Sequence, residues 1–297
     1  MGEEDFMNNS QIRYEIFLKV AELGNITLAA EALSYTQSGV SHAIAAMERE
    51  AGCTLFHRSK TGVTLTENGK KLLPLVQELI NKQHSLDQAM DALSNRVAGI
   101  LRVGSFTSFT AIWMAKIIQE FTEQFPDVKI ELTNGTYHDI EDGISAGRLD
   151  CGFLSAIEND PLDFTPLFDD PMLVIMAPEH VLAKKKSLPL RDLKKYPLIS
   201  QFQGSDHDVQ QIFRKAMIRP KLKYILDDDI SVMGMVAKDE GIALMPAMML
   251  ETAAFDLEAI PLDPPQHRVI GLATLPIKET TLLVRTFIAF CRQYDFE

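Results

Sequence analysis

Along the first third of the chain, apolar residues recur three and four positions apart, the period of a helix with one buried face. Ile12, Ile16, Phe17, Val20 and Leu23 form such a face between Ser10 and Leu23, and Gly24 ends it. Thr27 is expected to cap a short second helix, Leu28–Leu33, whose alanines let two helices approach closely. After a turn through Ser34–Thr36, a third helix is expected from about Ser38 to Glu50, with Val40, Ile44 and Met47 inward and Gly52 as its stop. Leu55-Phe56 and Val63–Leu65 flank Ser59–Gly62 and predict a two-stranded wing. Thr66 is then placed to cap a long helix. In it Leu72, Val76, Leu79, Gln83, Leu86, Met90, Leu93 and Val97 are spaced alternately four and three, a heptad seam with one polar member. So narrow a stripe along about 40 Å of helix predicts pairing with a second copy, with Gln83 fixing the register.

Past Gly99 the period changes. Strands are expected at Ile100–Gly104, Val128–Thr133 and Leu149–Leu154, with helices at Ala111–Phe125 and Asp139–Ala146 between them. A second set follows: strands Met172–Met176, Leu198–Gln201, Lys223–Leu226 and Ile242–Met245, and helices Asp208–Met217 and Ile230–Asp239. Strand Val269–Thr274 and helix Thr280–Tyr294 close the chain. Alternating strands and helices imply right-handed crossovers around a parallel sheet. Two α/β lobes are expected, lobe I from about 99–165 and 268–297 and lobe II from about 166–267, joined by crossings near 160–168 and 264–270.

Composition narrows the function. No apolar run is long enough to span a bilayer, and the acidic, polar stretch Met1–Gln11 has no secretory pattern, so a cytoplasmic protein is expected. Cys53, Cys151 and Cys291 lie far apart and are expected to be reduced, buried thiols. Asp206-His207-Asp208 lacks a second cluster at ligand spacing, so no metal is expected. Asp227-Asp228-Asp229 precedes a helix and is read as a cap with a solvated face. There is no Gly-x-Ser-x-Gly elbow and no phosphate loop; neither an enzyme nor a cofactor is expected. The net charge of −12 argues against a general affinity for DNA, and residues 1–66 carry five Lys/Arg against eight Asp/Glu. Any DNA binding must therefore rest on a few placed contacts.

The first 66 residues nevertheless resemble the LysR-type transcriptional regulators. The resemblance is carried by Gln11–Phe17, Asn25–Leu33, Thr36–Ile44, Met47-Glu48, Leu55–Arg58 and Leu65–Gly69, in order and without gaps. Weaker markers are Leu149–Phe153 and Gly241–Pro246. The resemblance implies an N-terminal winged helix-turn-helix domain (7–66), a linker and dimerisation helix (67–98) and a two-lobed, periplasmic-binding-protein-like α/β effector domain (99–297). It also implies a homodimer, usually assembled as a homotetramer, on double-stranded DNA with a near-palindromic promoter site. Where the family often has proline and arginine, this chain has Ser38 and His42, so a bidentate arginine cannot read bases there.

Within that frame, Gln37, Ser38, Ser41 and His42 are the expected base- and phosphate-facing residues of the recognition helix. Arg58 and Lys60 are expected at phosphates from the wing, and Thr27 and Thr66 are expected as caps first and phosphate donors second. The seam Leu72, Val76, Leu79, Gln83, Leu86, Met90 and Leu93 is expected to dimerise. A small polar or anionic effector is expected between the lobes at the C-terminal strand ends. It would touch Ser105, Thr107, Ser108, Thr136 and Ser155 from lobe I and Ser200, Gln201, Ser205 and His207 from lobe II. No arginine belongs to this set, which favours a monoanion or a neutral polar compound. Trp113, the single tryptophan, is expected to report the effector. Two rival readings are a solute-binding module without DNA affinity and an α/β enzyme with a helical dimerisation arm.

Overall fold

The computed structural model describes residues 10–59, 62–93, 96–156, 162–201, 207–276, 278 and 280–296. The chain forms two compact units, one centred on residues up to Met90 and the other on those from Asp91.

The first unit contains α1 (Ser10–Leu23), α2 (Ile26–Ala32), α3 (Gln37–Ala51), β1 (Phe56–Ser59), β2 (Gly62–Leu65) and α4 (Glu67–Leu93). Ile16, Phe17, Val20, Val40, Ile44, Leu55 and Phe56 pack into its core. The cap of α2 is Asn25 and not Thr27: the Asn25 side chain accepts hydrogen bonds from the N–H groups of Thr27 and Leu28. An asparagine two residues earlier starts the helix at Ile26 and leaves Thr27 inside it. Thr36 caps α3, accepting from Gly39 N–H, and Gly52 ends that helix in the left-handed conformation. Glu48 then reaches forward, accepting from the N–H groups of Leu55 and Phe56 at 2.8 and 3.2 Å, so α3 and the start of the wing are held as one piece. The wing also lies on the end of α1, where Val63 N–H donates to Gly24 O at 2.8 Å. Gly62 has φ +139°, and a Cβ there would meet Gly24 O at 2.8 Å, so both conformation and approach require glycine.

Helix α4 has 27 residues, about 40 Å. Its seam is not uniform. Leu72 is half-buried and Val76 fully buried against the helix-turn-helix core, so the seam's first turn is occupied within its own domain. Leu79, Leu86, Met90 and Leu93 are exposed, and Gln83 donates to Asp87 at 3.1 Å. Val97 lies past the helix end and packs instead on the core of the second unit.

The second unit begins with β3 (Gly99–Ser105). A helical stretch follows as α5 (Thr107–Phe109), a π-helical turn (Thr110–Met114) and α6 (Ala115–Gln124). Next come β4 (Val128–Asn134), α7 (Tyr137–Ser145), β5 (Cys151–Ser155), β6 (Asp163–Met176) and β7 (Leu188–Pro189). The chain continues through a 3-10 helix (Leu190–Lys195), β8 (Pro197–Gln201), α8 (His207–Lys215), β9 (Lys221–Leu226) and α9 (Asp229–Val236). It closes with β10 (Ala243–Pro246), α10 (Ala247–Glu251), β11 (Glu258–Thr274) and α11 (Leu282–Gln293).

The main sheet runs β10-β6-β11-β5-β3-β4. It is mixed, not parallel throughout: β3 is parallel to β4 and β5, whereas β11 is antiparallel to β5 and β6. The expected strands Met172–Met176 and Val269–Thr274 are halves of two longer strands, of 14 and 17 residues, that pair along their length. These are the two crossings between lobes. Pairing two returning segments keeps their backbone groups bonded through the hinge region, which loops would leave to solvent.

The lobes differ in their filling. Lobe I is aromatic, with Phe109 stacked on Phe153 at 4.2 Å and Phe121 edge-on to Phe287. Gly152 belongs to this packing, since a Cβ there would lie 2.3 Å from Ile140 of α7. Lobe II is aliphatic and two-sided. Val174 and Leu244 face one apolar cluster while their neighbours Ile175 and Met245 face another, as the period of two along a strand dictates. Among the described residues, no helix is long and apolar enough to cross a membrane.

Candidate functional site

Two surfaces carry the expected site residues. On the first unit, Gln37, Ser38 and His42 are exposed at the start of α3 and Ser41 is half-buried. The Ser38 hydroxyl lies 3.2 Å from that of Thr36. Arg58 is exposed on β1, with His57 exposed beside it on the same wing strand. Thr27 is exposed on the first turn of α2. Thr66 is buried and its hydroxyl is occupied, donating to Thr54 O at 2.8 Å and accepting from Gly69 N–H, so it serves as a cap and offers no surface donor. Lys60 lies outside the described residues. Of the few cations here, Arg13 is paired with Glu50 at 2.9 Å and Lys19 with Glu22 at 2.7 Å. No such pair engages Arg49 or Arg58 among the described residues.

The second surface is a cavity of about 290 Å³ in the second unit. Thr107 and Ser108 line it from α5, Thr136 from the turn before α7, and Ser200 and Gln201 from the end of β8. Three expected residues do not. Ser105 is fully buried and accepts from the Thr110 hydroxyl at 2.9 Å, and Ser155 is buried at the end of β5. His207 stands behind the lining, its ring edge-on to Tyr137 and its Nε2 2.9 Å from the Gln211 amide. Ser205 lies outside the described residues.

The cavity also contains what the expected set lacked, an arginine. Arg268 on β11 lies directly across from Asp170 on β6. Its Nε and Nη2 donate to Asp170 Oδ2 at 2.9 and 2.7 Å. Nη1 donates to the Tyr137 hydroxyl at 2.9 Å and lies 3.5 Å from Asp208 Oδ2, and the guanidinium stands over the Phe106 ring. Arg268 is only 7% exposed. Burial opposes its charge, but Tyr137, Asp170 and Asp208 outweigh that and hold the guanidinium firmly protonated. The Tyr137 hydroxyl donates in turn to Asp208 at 3.1 Å, which ties lobe I to lobe II across the cleft. Burial pushes this phenol well above its ordinary range, so it stays a neutral donor.

Asp227, Asp228 and Asp229 form the facing wall. Asp228 does cap α9, accepting from Ser231 N–H and Oγ at 2.7 Å each. Asp229 departs from the expected solvated face: it is half-buried, it accepts from the Gln201 amide, and burial pushes its carboxyl up. Trp113 sits in the π-helical turn and packs edge-on to Tyr294 and Phe296, outside the lining of this cavity. Its position makes it an indirect reporter at most. Among the described residues, no group of three His, Cys, Asp or Glu is placed to hold a metal ion.

The described LysR substrate binding domain matches residues 94–295, and the bacterial regulatory helix-turn-helix protein of the lysR family matches residues 13–70. The chain belongs to the LysR family. This LysR-type regulator is 28% identical, over 94% of its length and 96% of the other's, to the uncharacterized HTH-type transcriptional regulator YvbU of Bacillus subtilis. Its fold matches full-length CbnR complexed with its target DNA at TM-score 0.67 and 19% identity, covering 96% of this chain and 99% of that one. The effector-binding domain of QuiR in complex with shikimate matches at TM-score 0.59 and 24% identity, covering 66% of this chain and 97% of that one.

Proposed function

We propose that this LysR-type regulator binds a near-palindromic promoter site as a homodimer, assembled further into a homotetramer, and that a small polar effector in the cavity modulates DNA binding or activation. The observation that carries the reading is one chain holding both an exposed α3 face and a lined cavity between paired lobes. CbnR, which has the same fold, is bound to target DNA, and the QuiR effector domain holds shikimate.

In this reading residues 7–66 contact DNA, 67–98 pair, and 99–297 sense. Gln37, Ser38, Ser41 and His42 meet base edges and phosphates in the groove, and Arg58 meets phosphate from the wing. Leu79, Leu86, Met90 and Leu93 form the pairing stripe that supplies two recognition helices at once. The protein acts in the cytoplasm and is not an enzyme. An effector that closes the lobes would shift the equilibrium between dimer geometries, and through it the spacing of the winged helices.

Fluorescence anisotropy of the full-length chain on palindromic DNA pools at low salt tests this. Sequence-selective binding that rises with oligomer concentration is expected. No selective complex at any concentration would favour a solute-binding module instead.

A further inference from the structure

We propose that the cavity takes a small organic cation, an amine whose ammonium group lies against the Asp227–Asp229 wall while its apolar body rests on Ile230 and Met249. This rests on reading the cavity as the effector site and names the class of ligand that site selects. The lining carries four carboxylates, Asp208, Asp227, Asp228 and Asp229, and one cation, Arg268. Arg268 is not available to an incoming anion: Nε and Nη2 are engaged by Asp170, and Nη1 by Tyr137 and Asp208. An anion would have to displace a buried carboxylate from it while facing three more across the cavity.

The facing wall is suited to the opposite charge. Asp228 is held by its own helix, whereas Asp229 is half-buried with one amide as its hydrogen-bond donor. Burial first, and then the neighbouring Asp228, push that carboxyl toward its neutral form, and a cation at the wall would restore its charge. Ile230 and Met249, which also line the cavity, supply apolar surface beside the carboxylates. The ligand chemistry is therefore an ammonium joined to a hydrocarbon body small enough for about 290 Å³.

The test uses the full-length protein and two isosteric triads: 2-phenylethylamine, 2-phenylethanol and phenylacetate; and 1,4-diaminobutane, 1,4-butanediol and succinate. Binding is followed by calorimetry and by the shift in melting temperature. Within a triad the amine is expected to bind at least tenfold more tightly than the alcohol and the acid. Asp227→Asn and Asp229→Asn should each weaken the amine at least tenfold without lowering the melting temperature of the unliganded protein. Ile230→Trp, which fills the cavity from an exposed position, should abolish amine binding. Three results overturn the cation class: an acid that binds more tightly than its amine, amine affinity that survives both Asp→Asn changes, or no binding by either amine. An acid whose binding is lost in Ile230→Trp would leave the cavity standing as the effector site. Binding of any probe that Ile230→Trp does not disturb would instead count against the cavity itself.

Discussion

The surface proposed to face DNA and the cavity are built on opposite plans. The first comes from consecutive residues: Gln37 to His42 occupy less than two turns of α3, and Arg58 follows on the next element. Its side chains are mostly exposed, and a local amide–hydroxyl cap at Thr36 and the Glu48 bridge to the wing fix its shape. The cavity gathers segments from Phe106 to Arg268, and at its centre the buried Arg268 is held by Asp170, Asp208 and Tyr137, groups far apart in the chain. A local surface depends little on any one partner. A convergent one depends on every partner at once, because each unpaired buried charge carries a large penalty.

The largest expected effect lies at neither surface but at the stripe that would double the first. Leu79→Glu with Leu86→Glu should convert the protein to monomers in analytical ultracentrifugation and weaken DNA binding about 100-fold or more, since linkage multiplies the affinity of each winged helix. An unchanged oligomer would move the pairing surface elsewhere. Val76→Glu acts differently, because Val76 lies in the domain core: it should unfold the winged helix and not merely separate subunits.

Next in size is Arg268→Ala. It leaves Asp170 buried without its partner and should lower stability by about 3–5 kcal/mol in urea denaturation. A loss below 1 kcal/mol would mean that the convergent site is less interdependent than its geometry implies. Arg58→Ala should be milder and specific to DNA. Affinity should fall about tenfold, and the salt dependence should flatten by about one ion per subunit, with stability unchanged.

The smallest effect separates two neighbouring residues of the local surface. Asn25→Ala removes the cap of α2 and should cost about 1 kcal/mol. Thr27→Ala should cost less in stability, because its side chain does not cap the helix, and should affect DNA binding if that hydroxyl meets phosphate. Equal stability losses would contradict the assignment of Asn25 as the cap.

The same contrast explains what could be read from the chain. Helical period, glycine stops and the ordered run from Gln11 to Gly69 pointed to the winged domain, and alternating strands and helices pointed to an α/β second unit. The cap was misplaced by two residues because Asn25 and Thr27 are both good cap types and only backbone geometry separates them. The seam looked uniform because a heptad pattern does not distinguish a residue turned to its own core, such as Val76, from one left exposed, such as Leu86. Ser105 and Ser155 looked like ligand contacts because they end strands, yet both face inward. Arg268 carried no local signal: its partner Asp170 is 98 residues away and becomes adjacent only when β6 and β11 pair. Asp229 was hidden in an acidic run that suits a helix start, and only the fold turns it toward Gln201.

The most direct test of a LysR-type regulator that reads DNA through an acidic protein's few placed contacts is selection from random duplex DNA with the full-length chain. Inverted repeats with half-sites about one helical turn apart, or a multiple of it, should be enriched. That enrichment should disappear in the Leu79→Glu, Leu86→Glu variant. Failure to enrich any sequence, or enrichment of the same single half-site by the wild type and the variant, would contradict it.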